Sequence, residues 1–256
     1  MTSSKLTIGV VYPSVLGTYG DGGNALVLQR RATLRGIDAE VVPIELGAPI
    51  PRSLDIYTMG GGEDKAQAIA AEHLAKDNGL AAAVDRGAPV LAICASMQLL
   101  GNLYTDASGA EIPGLGLLDI TTAPRGSRAI GELVTIPLLE GLTEPLTGFE
   151  NHGGATCLGQ EAGPLGRVLA GVGNGCLENV QDQQALEGAV QGSIIGTYLH
   201  GPVLARNPQL ADLLLGEIVG DLEPLEVASV ERLRRERLEA VSLAEFLQAE
   251  EEPRNT

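Results

Sequence analysis

Short apolar runs alternate along this chain with segments of helical period, and this alternation narrows the possible folds more than any other feature. Residues 6–11, LTIGVV, are almost all apolar or β-branched, the composition of a strand covered on both faces. Residues 39–44, 56–59, 90–93 and 193–198 repeat the pattern. Between them lie helical patterns at about 24–35, ending near Gly36, and at 64–86, broken near Asn78-Gly79. Another helix covers 97–103. Asn207-Pro208 opens one that runs to about 219, with an N-cap residue followed by proline at the first helical position. Strands joined through helices pair in parallel with right-handed crossovers. The expected fold class is α/β, a mostly parallel open sheet with helices on both faces.

The middle of the chain, 114–192, departs from this pattern. It is rich in glycine and carries short β-like runs at 129–136, 146–149 and 167–170, which predict a small antiparallel extension. From about 225 to 256 the chain is charged, a helix followed by a tail. No internal repeat or linker interrupts it, and 256 residues are enough to build a core without staples, so one domain over 1–256 is expected.

Composition excludes several functions. Acidic residues outnumber basic ones, 33 to 17, for a formal net charge of -16 that repels phosphate backbones and anionic membranes. Nucleic acid is therefore not an expected partner. The apolar run at the N-terminus stops at Pro13, too short for a signal peptide, and nowhere do 18 apolar residues run together. No membrane insertion and a soluble, cytoplasmic protein are expected. Cysteines number three, without a CxxC pair, which predicts free thiols in a reducing compartment and neither a disulfide framework nor a zinc ribbon. The three histidines lack metal-ligand spacing, and neither GxxxxGK[ST] nor a helix-opening GxGxxG occurs. No metal or cofactor is expected on this chain.

Open parallel sheets bind ligands at the carboxyl ends of their strands. Three strand-end loops stand out: YGDGGN at 19–24, Gly60-Gly61-Gly62, and Cys94-Ala95-Ser96; His200 ends a fourth strand. All should share one sheet edge. Cys94 has two readings, a small buried hydrophobe or a nucleophile on a strand-to-helix elbow, where small neighbours permit the tight turn. On the second reading the helix N-terminus behind it lowers the thiol pKa, and the Ala95 N–H is one oxyanion donor, with a glycine amide, Gly61 by preference, as the other. His200 is the natural base. His152, with Glu150, lies in GFENHGG and is a second-rank candidate; His73 sits on a solvated helix face.

Taken together, the triple glycine, the cysteine elbow and GTYLHGP at 196–202 resemble a class I glutamine amidotransferase domain, which is flavodoxin-like in fold. Within that class they are similar to the cobyric acid synthase (CobB/CobQ) type. They are more similar still to glutaminase subunits that serve a Mur-ligase-like, MurT-type partner in peptidoglycan synthesis. The resemblance spans about 6–219. It implies that Cys94 attacks the side-chain amide of L-glutamine and forms a thioester, that His200 relays protons, and that Arg128 (with Arg125 as rival) binds the substrate carboxylate. It further implies that ammonia passes to a separate subunit, since this length leaves no room for a synthetase. That subunit would hold ATP and Mg and amidate the D-glutamate α-carboxyl of the lipid II stem peptide to D-isoglutamine. Many class I members carry an acid two residues after the histidine; Pro202 stands there. The expectation is that a partner-chain carboxylate orients His200. Three alternatives stay open: an amidotransferase for another acceptor, a different Cys-His hydrolase (γ-glutamyl hydrolase or DJ-1-like), and a non-catalytic ligase scaffold.

Overall fold

A computed structural model describes residues 5–106, 108–176 and 185–251, with side chains described as far as residue 241. In chain order the elements are β1 (Leu6–Val11), α1 (Gly23–Leu34), β2 (Ala39–Ile44), β3 (Ile56–Met59), α2 (Asp64–Leu74), α3 (Gly79–Asp85), β4 (Val90–Ile93), α4 (Ala95–Leu100), β5 (Leu103–Thr105) and β6 (Glu111–Pro113). They continue with β7 (Ile120–Pro137), β8 (Leu146–Leu158), β9 (Gly166–Ala170), β10 (Leu186–Glu187), β11 (Ala189–Gln191), β12 (Ile194–Thr197), α5 (Val203–Arg206), α6 (Pro208–Val219) and α7 (Ala228–Glu251).

The first sheet runs β11-β12-β4-β3-β1-β2 and is parallel except for β11 at its edge. This is the α/β arrangement expected from the apolar runs. Ile8, Ile56, Val90 and Leu91 are fully buried because helices cover both faces. On one face α1 packs against α5 and α6, pinned by Arg31 and Arg35, which both pair with Asp212 at 2.6 and 2.8 Å. The register sets the level of the strand ends. Thr197 of β12 lies beside Ile93 of β4, and Met59 of β3 beside Ala92. Loops leaving these three adjacent strands therefore emerge together.

The second sheet, β10-β9-β7-β5-β6 with β8 on β7, is larger than the short runs at 129–136 and 146–149 predicted. Pro124 and Gly126 appear to end a strand, yet β7 continues through them by a bulge. Pro124 pairs with Gly154 and Ala129 with His152, so residues 125–128 of β7 face only Gly153 of β8. Gly126 takes φ +82° there, a conformation that suits glycine. One contiguous apolar core joins both sheets, from Leu6 and Ile8 to Leu133, Leu146 and Leu165.

Three local expectations change. First, α4 begins at Ala95, immediately after Cys94, and Leu103 belongs to a strand. Second, Asn207 does not cap α6 through its side chain; its amide instead accepts from Thr147 N–H and donates to the Thr147 and Val203 carbonyls. Third, Cys157 and Cys176 form a disulfide. The chain after β9 folds back along β8, where Thr156 N–H donates to the Asn174 carbonyl, and this brings the two cysteines together over a separation of 19 residues. Cysteine counting misses such a return because it is set by sheet topology. Closing a loop of this length contributes roughly 3 kcal/mol by the chain-entropy account. Reduction, or Cys157→Ser, is expected to lower the urea unfolding free energy by about that amount and to raise m slightly, because the unlinked denatured chain exposes more surface.

The charged C-terminal helix is more than a solvated face. Arg234 of α7 is buried, donates to the carbonyls of Arg206 and Pro145 at 2.9 and 3.2 Å, and pairs with Glu144 at 2.8 Å. Among the described residues no helix is long and apolar enough to cross a membrane, and no group of three or more His, Cys, Asp or Glu side chains is placed to hold a metal ion.

Candidate active site

Cys94 occupies the junction between β4 and α4 with φ 52° and ψ −106°, a backbone conformation that costs a side-chain-bearing residue energy. Two contacts hold it there. Cys94 N–H donates to the Thr197 carbonyl at 2.8 Å, and the Ser96 hydroxyl donates to the Gly60 carbonyl. The elbow predicted from Cys94-Ala95-Ser96 is thus built by its two neighbouring strands. The Ala95 N–H, at the first position of α4, accepts no role in the backbone ladder and faces the turn.

His200 follows β12 and is 1% exposed. Its backbone exchanges hydrogen bonds with Phe149 of β8, at 2.9 and 3.1 Å, so both sheets position it. Glu187, fully buried, secures the approach: one of its oxygens accepts from the Thr197 hydroxyl at 2.7 Å and the Tyr198 N–H at 2.8 Å. Burial raises the Glu187 carboxyl to about 7, against the lowering effect of those two bonds.

The His200 ring meets a carboxylate of its own chain. Asp21, 2% exposed, places Oδ2 3.0 Å from His200 Nδ1 and accepts the Gly61 N–H at 2.9 Å with the same oxygen. A partner chain is expected to supply the orienting carboxylate; within this chain Asp21 already meets the ring. Asp21 belongs to the YGDGGN loop after β1, already placed on this edge by its position after a strand. Nothing in its spacing from His200 marked it, since the two are 179 residues apart. Burial lowers the His200 pKa, but its interactions with Asp21 and the neighbouring Cys94 outweigh it and lift the ring to about 9. Nε2 is buried with no hydrogen-bond partner among the described residues.

Gly61 needs to be glycine: a Cβ there would lie 2.9 Å from His200 Cε1 and 3.6 Å from Cys94 Cβ. Its N–H is committed to Asp21 rather than turned to the cavity, and the next residue, Gly62, lies on the cavity wall.

A cavity of about 400 Å³ opens over Cys94 and His200, walled in part by Gln98, Arg128, Asn151 and His152. The β7 bulge decides between the two arginines. Arg128 lines the cavity, whereas Arg125 packs against Gly175. His152 is buried and stacks on Tyr198, ring centroids 3.7 Å apart, with Nδ1 donating to the Gly154 carbonyl at 3.0 Å. It forms wall rather than joining Cys94. Glu150 does not line the cavity; its carboxylate accepts the Val172 and Gly173 N–H groups at 2.7 and 3.0 Å and anchors that loop. Asn151 and Tyr19, which sequence reasoning passed over, do reach the site. Their signal was only adjacency to the motifs at 148–152 and 19–24.

A doubly wound sheet with a strained cysteine elbow, a histidine at the next strand end and an arginine across the cavity is the arrangement of a cysteine-dependent amidotransferase. The sequence profile described as "CobB/CobQ-like glutamine amidotransferase domain" matches residues 7–208, and the chain belongs to that family. Its similarity extends further to particular proteins. It is 38% identical over 213 residues to the lipid II isoglutaminyl synthase (glutamine-hydrolyzing) subunit GatD of Staphylococcus aureus strain N315, covering 82% of this chain and 83% of that one. The corresponding subunit of Streptococcus pneumoniae is 37% identical over 210 residues, covering 81% and 78%. Cobyric acid synthase of Brucella abortus strain S19 is 34% identical over 169 residues, 63% of this chain but 32% of that protein. A crystal structure of a glutamine amidotransferase superposes with a TM-score of 0.54 at 18% identity, covering 82% of this chain and 98% of that one, which supports the fold.

Proposed function

We propose that this chain is the glutaminase subunit of a lipid II isoglutaminyl synthase. Cys94 Sγ attacks the side-chain carbonyl carbon of L-glutamine, and the oxyanion is held by the Ala95 and Gly62 N–H groups. His200, oriented by Asp21, takes the Cys94 thiol proton at Nε2 and passes it to the amide nitrogen, and the tetrahedral intermediate collapses to the thioester with loss of ammonia. Water, deprotonated by His200, then attacks the thioester and releases glutamate. Arg128 binds the α-carboxylate. The observation that carries this reading is the convergence of Cys94, His200 and Arg128 on one cavity from three separate segments, with Asp21 of a fourth held against His200.

The acceptor rests on likeness. The two GatD proteins are matched over most of their length, the cobyric acid synthase over about a third. On that basis the ammonia passes to a MurT-like Mur ligase subunit that binds ATP and Mg and forms D-isoglutamine on the lipid II stem peptide, and the pair works in the cytoplasm. Glutamine labelled with ¹⁵N in its amide, supplied to the chain with such a partner, ATP and lipid II, is expected to deliver the label to the D-glutamate α-carboxamide. Amidation that proceeds with free ammonium but never carries label from glutamine would rule out this pairing.

A further inference from the structure

Arg128 is not a free arm. Its Nε donates to Asn151 Oδ1 at 2.5 Å and its Nη2 to the Asn151 backbone carbonyl at 3.2 Å. The amide of Asn151 can have only one orientation here, because arginine solely donates; Oδ1 must face Arg128, and Nδ2 donates to Tyr19 Oη at 2.5 Å. Tyr19 in turn sets its ring edge-on to His200, centroids 4.8 Å apart, and holds φ +61°, a left-handed conformation uncommon for an aromatic residue. Arg128, Asn151, Tyr19 and His200 all line the same cavity. A continuous chain of contacts therefore joins the arginine across the cavity to the catalytic histidine.

We propose that Asn151 is a specificity-determining positioning residue for Arg128 and that the Tyr19 hydroxyl holds its amide in place. Arginine offers a carboxylate two bidentate edges, side-on through Nε and Nη2 or end-on through Nη1 and Nη2. Asn151 occupies the side-on edge with its two carbonyl oxygens. The end-on edge is left for the substrate, so an α-carboxylate docks at one angle and one depth relative to Cys94. Tyr19 Oη accepts from Asn151 Nδ2, which keeps Asn151 Oδ1 turned toward Arg128. This inference rests on Arg128 being the carboxylate anchor and adds what orients it.

The test uses the full chain with its synthetase partner present and 6-diazo-5-oxo-L-norleucine, a glutamine analogue that alkylates a nucleophilic thiol with loss of dinitrogen. The concentration dependence of inactivation separates binding (KI) from the maximal rate (kinact). Asn151→Ala is expected to raise KI about 10-fold and leave kinact within about twofold, since it frees the guanidinium without touching the reacting atoms. Asn151→Asp, almost isosteric, is expected to be worse, about 100-fold in KI, because its carboxylate competes with the substrate's for Arg128. A merely structural role predicts the opposite order. Tyr19→Phe removes the hydroxyl that holds the Asn151 amide and is expected to raise KI about threefold. If Arg128→Met raises KI and Asn151→Ala does not, the positioning role is wrong and the anchor stands. If Arg128→Met is silent, the anchor itself is wrong and the proposal falls with it. Loss of kinact in the Asn151 variants reduces that residue to scaffold and equally overturns the proposal.

Discussion

Cys94→Ser is expected to abolish glutamine hydrolysis, lowering kcat by roughly 10⁴-fold or more, while the fold survives. Serine is close to cysteine in size, and the backbone contacts that hold the elbow, from Cys94 N–H to the Thr197 carbonyl and from the Ser96 hydroxyl to the Gly60 carbonyl, do not use the sulfur. What is lost is the nucleophile. A hydroxyl is a far weaker acid than a thiol and a poorer nucleophile, so His200 cannot activate it for attack to the same degree. Glutamate release by the purified pair, together with intact mass after diazo-ketone treatment, measures both consequences. No adduct should form, and the circular dichroism spectrum should be unchanged. Turnover above about one part in a hundred of the native rate would mean that another group attacks the amide. Amidation from free ammonium by the partner should persist, because that route bypasses the thioester.

Asp21→Asn is expected to cost roughly 10³ to 10⁴-fold in kcat with little change in KM. The side chain keeps its size, and with its amide oxygen in the place of Oδ2 it can still accept both the Gly61 N–H and the His200 Nδ1 proton. What is lost is the negative charge beside the ring. The imidazolium that forms when Nε2 takes the Cys94 thiol proton is then no longer stabilised in its buried site. The pH profile gives a second readout. In the native chain His200 sits near 9, so kcat/KM is expected to fall as pH rises through about 9, when the ring loses the proton it delivers to the leaving nitrogen. Asparagine removes the charge that raises the ring, while burial still lowers it, so the alkaline limb should move to lower pH. The sign for stability follows the same shift. A histidine raised above its ordinary 6.5 contributes stability below that value and loses it as pH rises through about 9, and Asp21→Asn should flatten this dependence in urea titrations across that window. Near-native activity in Asp21→Asn would return the orienting role to a carboxylate outside this chain.

The parallel sheet and the elbow could be read along the chain because each rests on local chemistry. Ile56, Leu91 and Ile93 have no polar face to turn outward, so such runs must lie inside a sheet covered on both sides. Ala95 and Ser96 are small enough for the backbone to bend sharply after Cys94, and His200 follows an apolar run of strand length. The positions of Cys94 and His200 on one edge follow from parallel pairing alone. The length of β7 did not follow, because Pro124 and Gly126 signal an end to any strand that lacks a bulge.

What the linear sequence determined about this protein was the kind of sheet, its active edge, and the two residues there with reactive side chains. Tertiary structure alone decided which groups complete the site. Asp21 reaches His200 across 179 residues, the β7 bulge selects Arg128 over Arg125, the Gly61 amide turns to Asp21 rather than to the cavity, and Cys157 meets Cys176 on a returning strand. The physical reason is common to all four. Periodicity and propensity act over a few neighbours, whereas a hydrogen bond or a disulfide depends on where separate segments are brought by register, and register is settled only when the whole core packs.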